Sequence, residues 1–162
     1  MARNEKSSDA NPPDRHQVLV TGPGTLNPLL PVARRELATL AERILDVFAF
    51  QAARVEIRLM HDREMARLNA AYFGVHAPTN VLSFPEDETL SAESTDLGLI
   101  ALSLETLHRE TVLYGQKPVE HLIRLLAHAL LHLAGLEHGS EMERLTEQAL
   151  LLARPSDSLQ NG

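Results

Sequence analysis

The chain has 162 residues, 44% of them hydrophobic and 23% charged, enough for one ordinary domain with a single core. It contains no cysteine, which excludes disulfides and thiolate metal sites, so any metal must be held by His, Asp or Glu. With 22 acidic against 15 basic side chains the formal charge is -7, the wrong sign for a general nucleic-acid coat, although a local basic groove can coexist with it.

Taken in chain order, residues 1–15 are polar, carry Pro12 and Pro13, and are expected to be disordered. They lack the apolar core of a secretory signal peptide. No later stretch approaches the roughly 20 apolar residues of a membrane span. A cytoplasmic location with no membrane partner is therefore the expectation. Gln17 to Val20 predicts a first strand, ended by the turn Thr21-Gly22-Pro23-Gly24. Pro31 is expected to open a helix with Leu37, Leu40, Ile44 and Val47 along one face.

From Ala53 to Met60 the alternation of Val55, Ile57 and Leu59 with Glu56 and Arg58 predicts a half-buried strand. Asp62 is placed to cap a helix carrying Met65, Leu68 and Ala71. Val81 to Phe84, framed by Pro78 and Pro85, reads as a strand. Leu97 to Leu102 is nearly all apolar, as in a strand covered on both faces. Helices follow over Leu104 to Leu113, Pro118 to Ala134, with Gly135 suited to a left-handed cap, and Glu141 to Ala153 before Pro155. Helices and strands are mixed. The expected fold is α+β (α/β-like), a small mixed β-sheet packed with helices.

The chemistry concentrates in His128-Ala-Leu-Leu-His132-Leu-Ala-Gly135-Leu-Glu-His138. Residues four apart share one helical face, so His128 and His132 can present two imidazoles to one ion. Gly135 can take positive φ at little steric cost and turn the chain back, which brings in His138. Three protein ligands leave one tetrahedral position open, the pattern of a catalytic zinc that activates water. The metal site thus sits on a helix and the turn after it, with one Zn2+ per chain. The spacing matches the HExxHxxGxxH motif of metzincin proteases, but Ala129 stands where those enzymes carry their glutamate base. His121 lies on the same helical face and is read as a supporting or structural residue.

HALLHLAGLEH resembles the HGxLHLxGYDH signature of the YbeY family, bacterial endoribonucleases of ribosomal RNA maturation. A second block, Leu68-Asn69, Tyr72 and then Pro78-Thr79-Asn80-Val81-Leu82-Ser83-Phe84-Pro85, is similar to that family's PT(D/N)VLSFP. The resemblance covers about residues 40–153. It implies a zinc-dependent, single-strand-specific endoribonuclease acting in 16S ribosomal RNA 3′-end maturation and ribosome quality control. Its partners would be single-stranded or ribosomal RNA and the ribosome or its small subunit. It also implies that His128, His132 and His138 are the zinc ligands. The expected organisation is a tail over 1–15, a single zinc hydrolase domain over 16–153, and a flexible tail over 154–162.

This chain departs from the family pattern at Phe73, where an arginine is usual, and at Ala129, Leu136-Glu137 and Leu99. A scissile phosphate needs a positive partner. Arg124, four residues before His128 on the same face, is the nearest candidate, and Asn80 and Ser83 are further candidates for touching substrate. Glu137 beside His138 suits either a proton carrier or, the preferred reading, a hydrogen-bond acceptor for a ligand imidazole. Two rival functions are a metalloprotease-like hydrolase and a zinc-binding, ribosome-associated factor with reduced or no cleavage.

Overall fold

The structure is a computed structural model, describing residues 15–23, 32–86 and 96–155. The expected tails fall outside these residues apart from Arg15, Arg154 and Pro155, and so does Pro31. The elements are β1 (Gln17–Thr21), α1 (Arg34–Val47), β2 (Arg54–Met60), α2 (Asp62–Phe73), β3 (Val81–Pro85), β4 (Asp96–Ser103), α3 (Leu104–Leu113), α4 (Pro118–Leu133) and α5 (Ser140–Leu152). The sheet order is β1-β2-β4-β3. β1, β2 and β4 run parallel, and β3 pairs antiparallel with β4 at one edge. This is a small mixed sheet packed with helices, as the sequence pattern predicts.

Alternation decides which side of the sheet each residue serves. Val55, Ile57, Leu59, Ile100 and Leu102 enter the main core with Leu37 and Ile44 of α1 and Leu122, Leu126 and Leu130 of α4. Each fully buried aliphatic side chain of this kind contributes roughly 1.5–3 kcal/mol. Met60, Ala101 and Met65 of α2 form a smaller cluster with Leu82 and Phe84 partly buried beside it. β4 lies between β2 and β3 and is buried along most of its length, which explains its unbroken apolar sequence.

Two boundaries differ from the sequence reading. α1 begins at Arg34, where Glu36 accepts from the Ala33 backbone N–H. Asp62 is the first helical residue of α2, with His61 in the cap position. Its carboxylate has other work: it accepts from Ser103 Oγ at 2.8 Å, Thr106 Oγ1 at 2.7 Å and Arg109 Nη1 at 2.6 Å, tying α2 to the start of α3.

Candidate metal centre

α4 starts with Pro118 at its first turn, where a missing N–H costs nothing. It runs through the core, and most of its residues from His121 to Leu133 are buried. Within that stretch Arg124, His128 and His132 are the residues not buried, spaced four apart. The stripe of α4 not buried between His121 and Leu133 therefore carries a guanidinium and two imidazoles.

The helix stops at Leu133, and Gly135 adopts φ +85°. A Cβ at Gly135 would meet nothing within 4 Å, so the glycine serves the backbone turn and not close packing. Its N–H bonds the His132 carbonyl and the next N–H bonds the Leu131 carbonyl, which closes the helix end. The returning chain brings His138 over the stripe. Ring centroids of His128, His132 and His138 lie 4.6–4.8 Å apart in all three pairs.

Their ligating nitrogens are all within 4.8 Å of one another. Two nitrogens about 2.0–2.1 Å from one tetrahedral zinc stand roughly 3.4 Å apart, so modest side-chain rotations fit the set to one ion. Burial, then the neighbouring imidazoles His132 and His138, push His128 below the ordinary histidine range. Burial and His138 do the same to His132, against a hydrogen bond with the Leu136 backbone that acts the other way. Both shifts favour the neutral imidazole, which is the form that binds metal.

A cleft of about 200 Å³ opens beside the cluster, lined by Arg124, His128 and His138 and, from α5, by Glu143, Thr146 and Glu147. Arg124 Nη1 donates to Glu147 Oε1 at 3.2 Å. The α5 side of the cleft was not legible in the sequence, because the approach of α5 to α4 is a tertiary contact with no motif of its own.

Asn80 and Ser83 are engaged within the fold. Asn80 Nδ2 donates to both carboxylate oxygens of Glu110 at 3.1 Å, and its Oδ1 accepts from the Val81 N–H at 2.7 Å. Ser83 Oγ donates to the Ala129 carbonyl at 3.3 Å, which holds edge strand β3 alongside α4 next to His128. His121 is buried and pairs through Nε2 with Glu110 at 2.6 Å, so the Glu110 carboxylate links β3, α3 and α4. Glu137 is exposed. Phe73 is also exposed and packs with its tilted ring 6.3 Å from that of Phe84.

Fold and cluster together define a mixed α/β protein whose central helix and following turn gather three histidines able to hold a metal ion. The model of the family "Endoribonuclease YbeY" matches residues 29–151, and the chain belongs to that family. It is 38% identical over 142 residues to an endoribonuclease YbeY of Oleidesulfovibrio alaskensis, covering 76% of this chain and 84% of that protein. Against an endoribonuclease YbeY of Nitratidesulfovibrio vulgaris it is 37% identical over 136 residues, covering 74% and 84%. The solution structure of TM1509 from Thermotoga maritima superposes with a TM-score of 0.60 at 23% identity, over 83% of this chain and 87% of that one, and so shares the fold.

Proposed function

We propose that this protein is a cytoplasmic, zinc-dependent endoribonuclease that cuts single-stranded RNA in 16S ribosomal RNA 3′-end maturation and ribosome quality control. The observation that carries the reading is the convergence of His128, His132 and His138, two of which (His128 and His138) line an open cleft, in a chain of the YbeY endoribonuclease family. These three residues would hold the ion, and the depressed basicity of His128 and His132 favours their ligating form. A zinc held there would acidify a coordinated water and polarise a phosphoryl oxygen.

The chain's own residues supply the rest. Arg124 offers two parallel N–H donors to a phosphate in the cleft, once Glu147 gives it up. Ser83 and Asn80 fix β3 against α4 and α3 and so set one wall of the substrate path. A peptidase reading lacks its base on α4, because position 129 beside the histidines is a buried alanine.

Metal analysis joined to an RNase assay tests the proposal. Protein purified without chelator should carry close to one zinc per chain and degrade single-stranded RNA in an EDTA-sensitive way, and His132→Ala should lose both properties. Folded wild-type protein that takes up no zinc would overturn the metal assignment. Zinc-loaded protein that leaves single-stranded RNA intact would favour the non-catalytic, ribosome-associated alternative.

A further inference from the structure

The chain holds 2 tyrosines, 4 phenylalanines and no tryptophan, and three of these rings stand together at the edge of the fold. Tyr72 and Phe73 end α2, and Phe84 lies in β3. Tyr72 meets Phe84 edge-on with centroids 4.9 Å apart, and Phe73 lies tilted 6.3 Å from the same ring. Tyr72 is 67% and Phe73 56% exposed, with Val75 exposed just beyond them. Large rings left in water as a contiguous patch mark a surface that binds something.

The place of the patch indicates what it binds. Phe84 follows Ser83, whose side chain reaches α4 one residue from His128. Ser83 and Phe84 point to opposite faces of β3, so the rings and the histidines flank the same edge strand from its two sides. No carboxylate occurs between Glu64 and Glu86, while Arg67 and His76 fall in that stretch. In a chain of net charge -7 this segment carries no acidic side chain of its own, and the Glu110 carboxylate that the fold brings to Asn80 is engaged by Asn80 and His121.

Resting on the ribonuclease reading above, we propose that Tyr72, Phe73 and Phe84 form a stacking platform for unpaired bases of the RNA strand whose phosphate enters the histidine cleft. Every base has a π face, so such a platform tolerates any sequence. It also requires bases free of a duplex stack, which gives this chain a physical basis for preferring single strands.

Binding is measured by fluorescence anisotropy of zinc-loaded protein with a labelled single-stranded 2′-O-methyl RNA of about 10 nucleotides, with cleavage of the unmodified strand followed in parallel. Phe73→Ala and Tyr72→Ala should each weaken binding at least fivefold, and Phe73→Trp should retain it. Zinc content and melting temperature should not move, since both side chains are exposed. The slope of log affinity against log salt should stay at the wild-type value, because no phosphate contact is lost. A strand lacking bases at successive positions should bind wild type as weakly as the full strand binds Phe73→Ala.

Wild-type protein that cleaves RNA while both alanine variants, or the abasic strand, bind at full strength would overturn the platform and leave the ribonuclease reading standing. So would a Phe73→Ala change that turns a dimer into a monomer without touching RNA affinity, which would make the patch a contact between copies. Wild type that neither binds nor cleaves RNA would overturn both.

Discussion

Replacing Arg124 by alanine separates phosphate binding from folding. The guanidinium donates to Glu147 at 3.2 Å, with side-chain exposures of 43% and 63%. An exposed ion pair of this kind is worth about 0–1 kcal/mol. Arg124→Ala should therefore shift the melting temperature by about 4 °C at most. If Arg124 holds a phosphate in the transition state, kcat/KM on single-stranded RNA should fall at least tenfold, a loss of about 1.4 kcal/mol. Glu147→Gln should act in the opposite direction, lowering KM by freeing the guanidinium from its present acceptor while zinc content stays constant. The assay is steady-state cleavage of a labelled single strand, with zinc and melting temperature measured on each variant. Full activity in Arg124→Ala would refute the reasoning. A drop in activity that merely follows lost zinc would refute it too.

Acid should weaken the joint between α2 and α3. Partial burial would raise the Asp62 pKa, but hydrogen bonds from Arg109, Thr106 and Ser103 and the Arg109 charge outweigh it and hold the group at about 2, against an ordinary 3.8. The contribution is present above the unfolded value and lost as pH falls through the folded one. Urea melts should lose about 1–2 kcal/mol between about pH 5 and pH 2, and Asp62→Asn should remove that part of the slope. Gly98 sits at φ +112° in β4, where an added Cβ would strike the Phe84 carbonyl oxygen and come within 2.7 Å of the Glu86 nitrogen. Gly98→Ala should force β3 from β4 and cost more than about 2 kcal/mol in chemical denaturation; a variant as stable as wild type would mean that the β3–β4 pairing is soft there.

The element pattern was legible because burial is periodic. Val55, Ile57 and Leu59 alternate with exposed or half-buried neighbours, and that period alone marks β2 as a strand with one face in the main core. β4 carried a different signal, an apolar run, because helices cover both of its faces. The sequence could not show that β3 turns antiparallel at the edge while the other three strands run parallel, since both arrangements accept the same alternation. Asp62 shows the limit of local reading. A short acidic residue before an apolar helix looks like a cap, yet its partners Ser103, Thr106 and Arg109 lie more than 40 residues away.

The same division runs through the site. His128, His132 and His138 could be found by spacing, because a helical period of 3.6 and one glycine turn place them together whatever else the fold does. Sequence put Arg124 on their face but left its reach open, since a helical side chain leans toward the N-terminus and so away from His128. Packing of α5 against α4 resolves this by building the cleft that Arg124, His128 and His138 share, with Glu147 as the guanidinium's present partner. Asn80 shows the reverse: its motif marked it as a substrate contact, while its amide is spent on Glu110, which His121 also holds. This partly buried carboxylate takes an amide and an imidazole, and removing either partner would leave it one donor short beside the buried His121. The histidine-bearing stripe of α4 therefore adjoins a polar joint two turns away that no spacing rule reveals. Substitutions at Glu110 should consequently reach the histidines through the position of β3 and the N-terminal half of α4, without a direct contact to any of the three.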